Sequence, residues 1–177
     1  MIEVRTAHTA DLDTTTLDAT KRLLVEVFDG DFTDRDWEHA CGGMHALAWE
    51  NAELAGHASL VQRRLLYDAK ALRTGYIEGV GVRADLRDRG HGAALMEALE
   101  RLVRGAYDLG ALSSTDSAAG FYEARGWQRW SGPLSVLSPA GIERTVADDG
   151  SVYVLPIAVE VDTTLELTCD WRDGDVW

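Results

Sequence analysis

Apolar and polar positions change rhythm most clearly between residues 76 and 105. Residues 76–82 read as a strand, residues 83–92 as an arginine- and glycine-rich turn, and residues 93–105 as an amphipathic helix. In that helix Leu95, Leu99, Leu102 and Val103 recur at helical spacing, with Glu97, Glu100, Arg101 and Arg104 between them. Upstream, residues 3–7 read as a short strand. Leu17, Leu23, Leu24 and Val27 mark the buried stripe of a helix over residues 14–28, and Thr33 caps a second one reaching Ala40. Residues 44–50 and 54–67 form a hairpin turning at Asn51-Ala52-Glu53, and a third strand covers residues 71–82. Gly79 and Gly81 weaken that strand and indicate a bulge or a close approach by ligand backbone.

Downstream, residues 109–113 read as a buried strand and residues 116–125 as a helix closed by Gly126. Residues 127–130 and 152–156 read as antiparallel strands, with Asp148-Asp149-Gly150 turning into the second. This order predicts an α/β (α+β) class: one domain over residues 1–177, with a mixed, mostly antiparallel central sheet and helices on both faces.

Composition narrows the partners. The 177 residues suffice for one domain with a real core. Thirty acidic against 17 basic residues give a net charge of −13, which disfavours nucleic acid and anionic membranes and favours a small polycation. Acidity of this kind also serves solubility. No apolar run approaches the roughly 20 residues of a membrane span. The N-terminal stretch lacks the charged and apolar regions of a signal peptide. Cys41 and Cys169 fit no metal-ligand spacing, so reduced thiols, a cytoplasmic location and no metal are expected.

Two motifs carry chemistry. Arg87-Asp88-Arg89-Gly90-His91-Gly92 stands at the start of the main helix. Small residues there let backbone N–H groups approach an anion, and the helix terminus adds partial positive charge. The stretch lacks Gly-Lys-Ser/Thr, so it is not a Walker A loop, and it does not follow the strand as a dinucleotide fingerprint would. It resembles the Gln/Arg-x-x-Gly-x-Gly/Ala loop of the GCN5-related N-acetyltransferases (GNAT), with Arg87, Gly90 and Gly92 in the fixed positions. Residues 117–127, SAAGFYEARGW, resemble the same superfamily's Ala-x-x-Phe-Tyr-x-x-x-Gly-Phe element, with Trp127 in the last place. More specifically, GDFxxxDWEH (30–39), GGMHAL (42–47), EGVxVRAD (78–85), RGAYxLGALSS (104–114) and CDWRDGDVW (169–177) resemble the aminoglycoside 2′-N-acetyltransferases nearly end to end.

The resemblance implies a GNAT fold, acetyl-CoA as cosubstrate, a cationic aminoglycoside as acceptor, drug resistance as the outcome, and a homodimer. It places the pyrophosphate on Arg87, Asp88, Arg89, Gly90, His91 and Gly92. The pantetheine arm would pair with the backbone of Val80, Gly81 and Val82 as an added strand does, with the Val80 N–H supporting the thioester oxyanion. Tyr122 would stand near the sulfur as general acid. Glu78 would remove a proton from the ammonium, directly or through water. Alternation along its strand puts Glu78, Val80 and Val82 on one face unless a bulge re-aims them. Gly79 would offer its backbone to the substrate, and Asp31, Ser113, Asp148 and Asp175 would hold the drug, with Asp36 as a companion. Trp177 ends the chain, and its carboxylate is a candidate ammonium ligand or base partner. His8, His39, His45, His57 and His91 show no ligand spacing, and no nucleophile-base set stands out. Direct attack in a ternary complex is therefore favoured over an acyl-enzyme. A non-catalytic module that binds acyl-CoA or sequesters drug would keep the loop yet tolerate loss of Glu78 and Tyr122.

Overall fold

The computed structural model describes all 177 residues, which divide into two compact units. The first comprises Met1–Val61 and Ile77–Leu102; the second comprises Gln62–Tyr76 and Val103–Trp177. Strands β3 (Glu53–Tyr67) and β4 (Lys70–Val82) and helix α3 (His91–Ala106) contribute residues to both.

In the first unit, β1 (Glu3–His8) pairs antiparallel with β2 (Met44–Glu50), and β2 pairs antiparallel with β3 from Met44↔Leu60 to Glu50↔Glu53. Asn51 and Ala52 at its tip both have positive φ (53° and 65°), the backbone that a two-residue hairpin requires. Helix α1 (Thr14–Val27) starts where the Asp13 carboxylate accepts the Thr16 N–H at 2.7 Å, and it buries Thr20, Leu23 and Leu24. Helix α2 (Asp34–Ala40) opens on a capping box: the Thr33 hydroxyl accepts the Asp36 N–H, and Asp36 accepts the Thr33 N–H at 2.7 Å. The first turns of α3 bury Leu95, Met96 and Leu99. That helix begins at His91, two residues earlier than its apolar stripe predicts, because the stripe says nothing about the glycine-bearing first turn.

In the second unit, β4 pairs in parallel with β5 (Leu109–Ser113), from Thr74↔Leu109 to Tyr76↔Ala111. Parallel neighbours need a long connection, and α3 supplies it. Strand β9 (Val152–Pro156) lies antiparallel between β5 and β6 (Gln128–Arg129). On the other side β3 pairs with β10 (Leu167–Asp170), which runs parallel to β7 (Leu134–Ser138); β7 closes a hairpin with β8 (Gly141–Arg144). Strands β7, β8 and β10 are not predicted from the sequence; they are short, and β10 finds its partners roughly 30 and 100 residues away. The predicted helix over residues 116–125 is a 3₁₀ turn (Asp116–Ala118) followed by α4 (Ala119–Glu123), and Gly126 (φ 88°) ends it. Trp130, Tyr153, Leu109, Leu112 and Leu134 form the fully buried centre of this unit. No helix is long and apolar enough to cross a membrane.

One ion pair fixes β10 to β3. Arg63 is only 5% exposed. Its Nε donates to Asp170 Oδ1 at 2.7 Å, its second guanidinium nitrogen to the Asp170 carbonyl at 2.9 Å, and its plane lies 4.7 Å from the Tyr76 ring centroid. Breaking a buried pair costs about 3–5 kcal/mol because it strands a charge. The Asp170 side chain is 42% exposed, so solvent recovers part of that cost. Asp170→Ala is expected to destabilise the protein by about 2–3 kcal/mol, seen as a Tm lowered by roughly 5–10 °C for a chain of this size; an unchanged Tm would contradict this account.

Candidate active site

Within the first unit the site is built on β4. Gly79 takes φ 55°, a left-handed residue inside a strand, so the expected alternation of Glu78, Val80 and Val82 breaks there. The carbonyls on either side of the break are held by side chains of β3: Ser59 Oγ donates to the Glu78 oxygen at 3.3 Å, and His57 Nδ1 donates to the Gly79 oxygen at 2.8 Å. Gly81 answers a different need. A Cβ there would lie 3.0 Å from Leu24 and 3.2 Å from Val27, so its bare backbone admits α1. The irregularity of this strand is thus a left-handed backbone at Gly79, and the close approach at Gly81 is made by a helix.

The arginine-glycine loop leads from β4 to α3 in the same unit. Asp88 (φ 60°) and Gly90 (φ 93°) both turn left-handed, and the Gly90 carbonyl accepts the Ala94 N–H, so α3 begins at once. The amides of its first turn have no intrahelical acceptor. A Cβ on Gly90 would meet nothing nearer than Ile2 at 3.8 Å, which leaves the loop open for a bulky anion. Glu50, unremarked in the sequence, steadies it: its carboxylate takes Arg89 at 2.9 Å and lies 3.3 Å from His91 Nε2. Arg87 is exposed, its guanidinium leaning on the Val82 and Val27 carbonyls at 3.4 and 3.5 Å. Asp31 is exposed beyond α1, whereas Asp36 is spent on the α2 cap, as an ordinary helix-start carboxylate would be.

In the second unit three expected residues converge. Trp177 is 2% exposed, and its indole N–H donates to Thr145 Oγ1 at 2.9 Å. The Trp177 N–H donates to Asp175 Oδ1 at 3.2 Å. Arg172 donates to the Asp175 and Trp177 carbonyl oxygens at 2.7 and 3.0 Å, and Cys169 Sγ to the Val176 carbonyl at 3.3 Å. The chain end is therefore folded back and pinned. Thr145 also hydrogen-bonds Asp148, whose carboxyl is raised above its usual range by burial and then by the neighbouring Asp175 charge. Ser113 sits at the end of β5 with its hydroxyl on Ser151 at 3.2 Å. Tyr122, 6% exposed, packs among Phe121, Trp127 and Tyr153.

Residues 12–127 match the acetyltransferase (GNAT) family. The chain belongs to that family. It is also 55% identical to an aminoglycoside 2′-N-acetyltransferase of Mycolicibacterium fortuitum, over 98% of this chain and 91% of the relative. Among solved structures, Escherichia coli ElaA superposes with a TM-score of 0.63 at 22% identity, covering 87% of this chain and 99% of ElaA. The E. coli ribosomal-protein-S18-alanine N-acetyltransferase gives 0.61 at 18% identity, over 92% and 97%. At such identities these two structures speak for the GNAT fold alone.

Burial sets the protonation states of this acetyltransferase. The Tyr122 phenol is pushed up to about 12 by burial, against the opposing hydrogen bond from Ser114, so it stays a proton donor at neutral pH. Burial also raises both thiols, Cys169 to about 11. The buried histidines move the other way. His57 falls to about 3, through burial and then His45, opposed by the Gly79 hydrogen bond. His45 falls to about 4, through burial and then His8. Ser114, Thr145, Arg172, Glu50 and this histidine pair are missed by the motif reading. The pair alone had a usable signal: the β2–β3 register aligns His45 with Ser59 and Leu47 with His57, making the two histidines diagonal neighbours on one face.

Both histidines are neutral when folded and near 6.5 when unfolded, so the unfolded chain binds more protons between those values. Stability is fully present above pH 6.5 and falls as pH drops towards 4, by up to about 1.4 kcal/mol per pH unit for each histidine. Thermal melts from pH 7 to 4.5 should show Tm falling over that window, with a shallower slope in His45→Asn; equal slopes would contradict the assignment.

Proposed function

We propose that the protein transfers the acetyl group of acetyl-CoA to the 2′-amino group of aminoglycosides by direct attack, and so confers resistance to them. The observation that carries this reading is the pinned chain end, where Asp148, Asp175 and Trp177 gather around Thr145 and Arg172. A polyammonium sugar needs converging anions such as the Asp148 and Asp175 carboxylates, and the 55% identical relative bears the name of that activity. The reading takes residues 1–177 as one acetyltransferase domain, with Asp31 and Ser113 also at the drug. Asp36 is left as a helix cap.

The loop fits acetyl-CoA: Arg87, Asp88, Arg89, Gly90, His91, Gly92 and the free first-turn amides of α3 would hold the pyrophosphate. The backbone of Val80, Gly81 and Val82 would hold the pantetheine arm. The cosubstrate supplies an electrophilic thioester carbonyl and a thiolate leaving group. Glu78 takes one proton from the ammonium and so frees the amine lone pair for attack, while the Gly79 carbonyl is taken up by His57 at 2.8 Å. The Val80 N–H hydrogen-bonds the carbonyl oxygen as charge develops on it. Tyr122, protonated up to about 12, hands its phenolic proton to sulfur as the carbon–sulfur bond breaks, and the second proton shed by the acylated nitrogen restores the phenol. Raised thiols at Cys41 and Cys169 support direct attack over an acyl-cysteine. Two unpaired cysteines accord with a cytoplasmic location, and the family resemblance carries a homodimer without metal.

NMR mapping of the product should find a single acetyl group on the 2′ nitrogen of a gentamicin- or tobramycin-type drug. A 2′-hydroxyl analogue such as kanamycin A should react at least about 100-fold more slowly in kcat/KM. Acetylation at another nitrogen, or equal rates, would overturn the regiochemistry. Tyr122→Phe is expected to lower kcat by about 10²–10³ with acetyl-CoA affinity retained, and Glu78→Gln to lower kcat/KM chiefly at low pH, where the amine is protonated. Unchanged turnover in both would remove the mechanism.

A further inference from the structure

A chain of hydrogen bonds, buried at its two histidines, runs through the first unit to the peptide that β4 turns out of line. The Gly42 N–H donates to Thr9 Oγ1 at 2.8 Å, Thr9 Oγ1 lies 2.7 Å from His45 Nε2, His45 Nδ1 lies 2.8 Å from His57 Nε2, and His57 Nδ1 lies 2.8 Å from the Gly79 oxygen. The last acceptor fixes every direction. A carbonyl can only accept, so His57 carries its proton on Nδ1; burial keeps the ring neutral, so its Nε2 must accept. His45 therefore donates from Nδ1, and its Nε2, at 2.7 Å, takes the Thr9 hydroxyl proton in preference to the Gly43 carbonyl at 3.3 Å. Each ring nitrogen has one partner and one tautomer. Trp37 packs against both rings, at 6.1 and 6.4 Å between centroids, and closes the cluster.

Two neutral histidines in a core are ordinary if they merely satisfy one another. These end on the one residue of β4 with a left-handed backbone. In a trans peptide the C=O and the following N–H point in opposite directions. Holding the Gly79 oxygen against His57 therefore aims the Val80 N–H to the other side of the same peptide plane. We propose that His57, its Nδ1–H on the Gly79 carbonyl and its Nε2 held by His45 and, through it, Thr9, is a positioning residue that fixes the Gly79–Val80 peptide so that the Val80 N–H meets the thioester oxygen during transfer. This rests on the function proposed above. It adds a role for three residues that touch neither substrate.

Two substitutions separate the role from simple packing. In His57→Asn the side-chain amide occupies the place of Nδ1, keeping the donor to Gly79 and losing the link to His45. In His57→Gln the amide reaches the place of Nε2, keeping the link to His45 and losing the donor to Gly79. With folded fractions matched by near-UV dichroism and acetyl-CoA binding stoichiometry, His57→Gln should lose about 10²-fold in kcat, the scale of one misplaced oxyanion donor. Its KM for both substrates should stay within about threefold of wild type, and His57→Asn should recover to within about tenfold of wild-type kcat. Equal kcat in the two variants, or wild-type kcat in His57→Gln, overturns the proposal. Should neither fold, Thr9→Val carries the test: kcat falls severalfold at unchanged KM, and an unchanged kcat overturns it. A wild-type protein that acetylates no aminoglycoside sinks the proposed function itself, an outcome distinct from active wild type with indifferent variants.

Discussion

A single left-handed glycine inside a strand constrains more of this protein than any other residue. Once Gly79 takes a positive φ, β4 cannot continue its ladder unchanged, and two consecutive carbonyls need donors elsewhere. Ser59 and His57 provide them from the neighbouring strand. A buried carbonyl without a partner would cost on the order of 1–3 kcal/mol, so these side chains are part of what makes the break tolerable. The same glycine leaves no room to spare, since a Cβ on Gly79 would stand 3.3 Å from Leu24, and one on Gly81 3.0 Å. Helix α1 can seat its apolar stripe only because both positions are bare.

The second unit holds residues 169–177 in place through several separate contacts. Here the last nine residues divide the work. Cys169 and Asp170 belong to β10 and its ion pair with Arg63; Arg172 turns back to the final carbonyls; Trp177 buries its ring and hydrogen-bonds Thr145. Asp175 and Asp148 are thereby held close enough for one charge to raise the other's carboxyl.

Burial decides the protonation of the groups that would handle protons. The Tyr122 phenol and both thiols are pushed up, and the two buried histidines are pushed down, because a low-dielectric surrounding disfavours whichever form is charged. The outcome is a neutral acid at Tyr122 and a neutral hydrogen-bond relay at His45 and His57. The overall charge of −13 favours a cationic partner.

Short-range physics made the helices and loops readable from residues alone. The stripe of Leu95, Leu99 and Val103, the caps at Asp13 and Thr33, the Asn51–Ala52 turn and the glycines of the loop each act within a few residues, so the string of letters contains them. The Phe121–Tyr122 pair and the terminal Asp-Trp-Arg motif were legible for the same reason. What needed the folded chain was pairing at long range. Strand β10 is four residues with no rhythm of its own, defined only by lying between β3 and β7. Asp36 takes its place in the cap of α2, while Glu50, Ser114, Thr145 and Arg172 gained their roles from neighbours distant in sequence. His45 and His57 show the division most plainly: twelve residues apart and without motif spacing, they become one hydrogen-bonded unit because a hairpin register sets them diagonally on one face and burial leaves each nitrogen no partner but the next.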